Sequence, residues 1–358
     1  MAAPARRGTF RAAALFVFSL LSLRPSLAEP LPGVSADLMR TSVSGLSSGA
    51  YMAGQFQVAY SQIVIGAGLV AGGPYGCADT PGTELNPFWL VVLSWNLARA
   101  ENKCMEDGWF FSTVPDPKDL LARAKRLEEE GRIDPLKSLA QDKLYLFSSR
   151  KDDTIESGVV EAAAEFYRRA GIQAANTDFV IHDKAAHAFL TESQGLACGT
   201  TGTPFINDCD YDQAGAILER LMGPLKPAGE AVEAHFQRFE QRPFLDRLPD
   251  ADFDDEGLVY IPAECRTQGG CAVHIVFHGC KQGLAAIGEQ FVKGSGYARW
   301  AETNRIILLF PQVKPGPLNP NGCWDWWGFT GREFLERQAP QMRGVRRMLE
   351  RLTEAPSP

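Results

Sequence analysis

Ser47 lies in Gly45-Leu46-Ser47-Ser48-Gly49, a G-x-S-x-G pentapeptide between a strand-like stretch and an apolar helical run. That context is the one a nucleophile elbow requires. The small glycines permit a tight strand-to-helix turn that presents the Ser47 hydroxyl at a helix N-terminus, where free N–H groups favour developing negative charge. A serine hydroxyl is a weak nucleophile until an imidazole takes its proton, and the imidazole needs a carboxylate to fix its tautomer and stabilise its cation. Both follow Ser47 in hydrolase order. Asp152 lies in Ser149-Arg150-Lys151-Asp152-Asp153-Thr154-Ile155, just beyond a strand, and His187 lies in Ala185-Ala186-His187-Ala188-Phe189, just beyond the next one. Asp153 is the competing acid, although an acidic pair in a loop also suits a solvated turn or a helix cap. His182 ends a strand and reads as a partly buried structural residue. His235 and His274 read as surface and core residues respectively.

An acyl-transfer site also needs N–H donors for the tetrahedral oxyanion. The segment Val273-His274-Ile275-Val276-Phe277-His278-Gly279-Cys280-Lys281-Gln282 has the strand and His-Gly loop that supply one of them in α/β hydrolases, but it lies far downstream of His187. Ser48 and Cys280 are the expected donors. With only residues 29–46 ahead of Ser47 in a processed chain, there is room for about one strand at the usual rise of ~3.3 Å per residue. The half-sheet that should flank the nucleophile strand must come from residues 256–358, a circular permutation.

The elements around these residues alternate strand and helix, which predicts a largely parallel sheet covered by helices on both faces. Strands are expected at 37–43, 63–71, 143–148, 178–182, 258–262, 272–278 and 305–310. Helices are expected at 50–62, 117–130, 159–170, 212–222 and 331–352. Residues 72–109, rich in Gly, Pro and Trp, read as an irregular excursion, and residues 227–255 as a linker or surface crossing. There is no internal repeat, and residues 29–358 read as a single catalytic domain.

Arg6, Arg7 and Arg11 precede the apolar run 12–23, which ends at the small-residue site Ser26-Leu27-Ala28. This is the layout of a secretory signal peptide spanning residues 1–28, and it predicts a secreted or periplasmic protein. No stretch reaches the ~20 apolar residues of a membrane span. Removing residues 1–28 takes away four arginines and no acids, so the formal charge moves from −7 to −11. Such a surface argues against nucleic acid or anionic lipid as a partner.

Eight cysteines in an exported chain read as a disulfide framework. Chain proximity pairs Cys77 with Cys104, Cys198 with Cys209 and Cys265 with Cys271, leaving Cys280 with Cys323. With no Cys-x-x-Cys pair and no histidines at ligand spacing, no metal site or cofactor is expected.

Together these residues make the sequence similar to the single-domain, circularly permuted poly(3-hydroxybutyrate) depolymerases. The resemblance covers essentially the whole processed chain. It is carried by Gly45-Leu46-Ser47-Ser48-Gly49-Ala50, the surroundings of Asp152, Ala186-His187-Ala188-Phe189, His278-Gly279-Cys280-Lys281-Gln282 and Asn321-Gly322-Cys323-Trp324-Asp325-Trp326-Trp327. It implies an α/β-hydrolase fold, a Ser47, Asp152, His187 triad, an oxyanion N–H from Cys280, and exposed aromatics that hold a polyester or oligoester substrate. Trp324, Trp326 and Trp327 are the candidate aromatics, Trp324 first because it follows Cys323 directly, with Tyr51 beside the elbow as a further cleft residue. A monomer is favoured. The competing readings are an esterase on feruloyl, acetyl or other small esters, a non-catalytic binding protein on a hydrolase scaffold, and a metal-dependent hydrolase.

Overall fold

A computed structural model describes Met1 and residues 28–83, 86–106, 114–246 and 251–356. The signal-peptide expectation falls almost entirely on residues outside those described.

In chain order the first half comprises β1 (Thr41–Leu46), α1 (Ser48–Ala59), β2 (Val64–Val70), α2 (Trp89–Lys103), α3 (Pro117–Glu129), β3 (Lys143–Ser149), α4 (Ser157–Ala170) and β4 (Thr177–His182). Then come β5 (Phe189–Thr191), β6 (Leu196–Ala197), β7 (Ile206–Asp208), α5 (Gln213–Met222), β8 (Phe236–Glu240) and β9 (Glu256–Tyr260). The chain finishes through α6 (Ala263–Gln268), β10 (Ala272–Phe277), α7 (Leu284–Ile287), α8 (Gln290–Gly294), α9 (Tyr297–Asn304), β11 (Ile306–Phe310) and α10 (Pro340–Thr353).

Eight strands form one sheet in the order β4-β3-β2-β1-β10-β11-β9-β8, and β5, β7 and β6 form a small second sheet. From β4 through β11 the pairing is parallel; β9 and β8 add an antiparallel edge. The nucleophile strand β1 is central, with β2 from the chain after it on one side and β10, more than 220 residues later, on the other. This is the circularly permuted α/β-hydrolase arrangement. Gly45 pairs with Phe277, so the end of β10 delivers His278-Gly279-Cys280 beside Ser47.

Strands covered on both faces should read as continuous apolar runs, which β10 and β11 nearly do. β1 does not, because Thr41, Ser42 and Ser44 are all buried. Its hydroxyls are all satisfied, that of Thr41 by donating to the Leu38 carbonyl at 2.8 Å. Ser42 Oγ and Ser44 Oγ contact the two ring nitrogens of His274 at 2.7 and 2.8 Å, and Ser44 Oγ also meets the Tyr297 hydroxyl at 2.7 Å. Burial pushes His274 down to about 3, so it is a neutral core residue.

Three local expectations change. Residues 72–109 contain a full helix, α2, tied at its base by the Cys77–Cys104 disulfide. Residues 227–255 are not a simple linker. They contain β8, which pairs antiparallel with β9 and is bridged on its other side by Glu29. The last helix begins at Pro340 rather than near 331, because Pro suits the first helical turn and Asp325 draws residues 327–330 into a cap-like turn. All four cysteine pairs form as chain proximity suggested.

Candidate active site

Ser47 sits between β1 and α1 with φ 57° and ψ −122°, a left-handed conformation that costs a non-glycine residue roughly 1–3 kcal/mol. The surroundings hold it there. Its N–H donates to the Val70 carbonyl at 2.9 Å, and its carbonyl accepts from the N–H groups of Ala50 and Tyr51. The glycines of the pentapeptide are required by close approach. A Cβ on Gly45 would lie 2.3 Å from the Gly49 backbone, and one on Gly49 would lie 2.3 Å from the Phe277 carbonyl oxygen.

Because β1, β2, β3 and β4 run parallel, the loops that follow β1, β3 and β4 emerge along one edge of the sheet, and these carry Ser47, Asp152 and His187. His187 Nδ1 lies 2.8 Å from Asp152 Oδ2, with both side chains almost fully buried. The other carboxylate oxygen, Oδ1, accepts from the N–H groups of Thr154 and Ile155, each at 2.9 Å. Asp152 is therefore fixed from both sides. Asp153 points outward, toward the Thr154 and Thr201 hydroxyls at 3.5 and 3.4 Å. His182 shapes the neighbouring loop, its Nδ1 accepting from Ala185 N–H at 2.9 Å, and Ser149 Oγ at the end of β3 donates to the Ala185 carbonyl. His235 pairs with Glu302 at 2.9 Å, away from these residues.

Ser48 is the first residue of α1, so its N–H has no acceptor inside the helix. Across from it, the 278–282 loop is fixed at every residue. His278 is pushed down to about 4 by burial, so the ring is neutral: Nδ1–H donates to Gly279 O at 2.8 Å and Nε2 accepts from Val313 N–H at 3.3 Å. Gly279 faces the elbow; a Cβ there would be 3.6 Å from Ser47 Cβ. Cys280 is disulfide-bonded to Cys323, and Lys281 N–H donates to Asn321 O at 2.7 Å.

The aromatics divide differently from expectation. Trp324 is completely buried, edge-on to Phe277 at 4.9 Å and Phe253 at 5.9 Å, so it is core and cannot head an exposed surface. Tyr51 is also buried; its hydroxyl donates to the Cys104 carbonyl and its ring stacks on Trp326. Trp326 and Trp327 are more than nine-tenths buried and pack edge to face. Neither lines the groove of about 440 Å³ bounded by Trp89, Asp252, Leu318 and Phe329, although Trp327 packs on Phe329 with ring centroids 4.8 Å apart. The exposed apolar surface lies instead on α2. Phe88, Leu90, Val91, Trp95 and Leu97 are all solvent-exposed there, with Leu318 exposed near the groove. Sequence reasoning missed this helix because both its inward and outward faces carry apolar residues, which erases the amphipathic period. A run of Trp, Leu and Val from 89 to 95 was the available signal.

Among the described residues no cluster of His, Cys, Asp or Glu is arranged to hold a metal, and no helix is long and apolar enough to cross a membrane.

No family model matches the chain. Over 328 residues it is 36% identical to a poly(3-hydroxybutyrate) depolymerase of Delftia acidovorans, covering 90% of this chain but 61% of that longer protein. Over 335 residues it is 31% identical to a polyhydroxybutyrate depolymerase of Talaromyces funiculosus, covering 89% of this chain and 91% of the relative. Among solved structures, it is similar to the polyhydroxybutyrate depolymerase of Penicillium funiculosum, with a TM-score of 0.78 and 29% identity over 90% of this chain and 98% of the other. A serine-to-alanine form of such a depolymerase, in complex with an R3HB trimer, matches equally well.

Proposed function

Since the chain belongs to the poly(3-hydroxybutyrate) depolymerase family, we propose that it is a serine esterase that cleaves the ester bonds of poly(3-hydroxybutyrate), or a related polyhydroxyalkanoate, and of its oligomers. The observation that carries this reading is the buried His187–Asp152 pair in the loops beside the Ser47 elbow.

Asp152 holds Nδ1–H of His187, which leaves Nε2 to take the Ser47 proton as Oγ attacks the ester carbonyl carbon. The carbonyl oxygen becomes an oxyanion facing the N–H groups of Ser48 and Cys280. His187 then gives its proton to the departing alcohol oxygen as the C–O bond breaks, leaving an acyl-Ser47 ester. Water attacks that ester, His187 takes its proton, and the free acid leaves as Ser47 recovers its hydrogen. This sequence needs no metal or cofactor.

A solid polyester also has to be met at a surface. The outward side chains of α2 suit that task, because a protein gains nothing from exposing so many apolar groups in water unless something apolar covers them. We place the catalytic unit at residues 29–358 and assign residues 1–28 to export.

The test is release of 3-hydroxybutyrate and its oligomers from an amorphous poly(3-hydroxybutyrate) suspension by wild type and Ser47→Ala. Product from wild type alone supports the reading. Ser47-dependent cleavage of nitrophenyl, feruloyl or acetyl esters with no polyester product would move the substrate to small esters. Absence of any Ser47-dependent turnover would leave a non-catalytic protein.

A further inference from the structure

One buried amide joins the two halves of the permuted site. Gln282 is 1% exposed and uses its side chain completely. Its Oε1 accepts from Gly279 N–H at 2.8 Å, and its Nε2 donates to the carbonyls of Pro204 at 3.0 Å and Phe205 at 3.1 Å. Phe205 O also accepts from the N–H of Phe189, two residues after His187. The same 198–209 segment, closed by Cys198–Cys209, holds the other side of that loop. Cys198 O accepts from Ala186 N–H, and Thr201 Oγ1 accepts from His187 N–H at 3.3 Å. The oxyanion loop and the histidine loop are separated in the chain, with His187 and Gln282 95 residues apart, and they follow strands that are not neighbours in the sheet order. Gln282 fastens one to the clamp that grips the other.

Building on the proposed esterase reading, we propose that Gln282 is a positioning residue that sets the Cys280 N–H in register with the His187 imidazole. A developing oxyanion and a proton in flight must be served at the same moment, and a misplacement of about 1 Å in such a site can cost ~100-fold in rate. Gln282 touches neither substrate nor the reacting atoms; its effect runs through Gly279 and Phe205.

Three variants test this, read by kcat and KM on a soluble nitrophenyl butyrate and by the rate at which an organophosphonate labels Ser47, each per folded molecule. Gln282→Met keeps the bulk and removes all three bonds. It is expected to lower kcat and the labelling rate together by roughly 10- to 100-fold with little change in KM. Gln241→Met is the control. That glutamine is as buried and also makes three bonds, to Asp254 O, Gln312 O and Gln312 N–H, none of them in the 198–209 or 278–282 segments. It should lose stability and keep its kcat. Gln282→Glu retains the acceptor for Gly279 N–H. When protonated it donates one O–H toward Pro204 O or Phe205 O; when ionised it sets a charge against both. Its kcat relative to wild type should therefore fall as pH rises, a limb that a merely structural loss in Gln282→Met would not reproduce.

Wild-type kcat in Gln282→Met, or equal losses in Gln241→Met, would overturn the proposal. Should Gln282→Met fail to fold, a flat pH ratio for Gln282→Glu would overturn it and a falling one would support it. A wild type with no Ser47-dependent turnover would instead remove the esterase reading on which the proposal stands.

Discussion

Tyr51 and Trp326 stack face to face, with ring centroids 4.1 Å apart and planes within 11°. The contact joins α1, whose first turn follows Ser47, to the loop whose cysteine is bonded to Cys280. Asp325 orders that loop. Its carboxylate accepts from the N–H groups of Trp327, Gly328, Phe329 and Thr330, and from the Thr330 hydroxyl. Burial raises the Asp325 pKa, while the bonds from Thr330, Gly328 and Phe329 work against that shift.

The three tryptophans should therefore separate by role. Trp324→Ala is expected to cost about 3–5 kcal/mol of stability by opening a core cavity. Trp326→Ala should cost less stability, since some of that space opens to solvent, but should lower turnover of hydroxybutyrate oligomers by releasing Tyr51 beside the elbow. Denaturant melts together with oligomer kinetics per folded molecule check both. Equal activity losses in the two variants would refute the division.

Removing the Cys280–Cys323 bond by Cys280→Ser with Cys323→Ser frees a separation of 43 residues. Chain entropy predicts a loss of about 4 kcal/mol. The backbone N–H of residue 280 survives the substitution, so any kcat loss per folded molecule reports misplacement of that donor. Urea denaturation and ester kinetics on the same sample measure the two effects.

Stability should depend on pH from both sides. Asp142 is pushed up to about 8 by burial, partly offset by the Gln57 amide at 2.8 Å. Its folded form holds a proton that the unfolded chain releases near pH 4. Its contribution is thus full below about pH 4 and is lost as pH rises through about 8. His274 and His278 act oppositely. Burial depresses them to about 3 and about 4, so their contribution is present above the unfolded value of ~6.5 and is lost as pH falls through those folded values. Asp142→Asn should raise the melting temperature at pH 8–9 relative to wild type, by roughly 2–4 °C per kcal/mol recovered. The amide introduced by that substitution could also donate to Gln57 Oε1, which has no partner among the described residues. A variant that melts below wild type throughout pH 5–9 would contradict this assignment.

The outward face of α2 makes a separate prediction. Leu90→Ser with Trp95→Ser should reduce product release from a polyester suspension several-fold while leaving nitrophenyl butyrate kinetics unchanged, because a soluble ester needs no apolar surface of ~10² Å² to find the cleft. Both side chains are exposed, so the folded state loses little packing. Equal rates on the suspension would show that this face does not meet the polymer.

The candidate triad of Ser47, Asp152 and His187 could be picked out in the sequence because each of its signals is local. A pentapeptide fixes the elbow, and each partner sits in a loop directly after a strand whose pattern can be read. The permutation was legible because the strand and His-Gly loop that flank a nucleophile strand occur after His187, at 272–282. The short-range disulfides follow from proximity along the chain. What the sequence left open depends on which surfaces meet across tens of residues of chain. Asp152 and Asp153 are chemically alike, and only the packing of the 149–155 loop turns one toward His187 and the other to water. A Trp after a cysteine looks the same whether it faces solvent or core; the approach of Phe253 and Phe277 decided that Trp324 is core. The apolar outer face of α2 carried no period to announce it. The amide of Gln282 has meaning only once strand order brings residues 204 and 205 within reach of it. Hydrogen bonding and burial act at a few ångströms in space, whereas the sequence records separation along the chain, and folding is what converts one into the other.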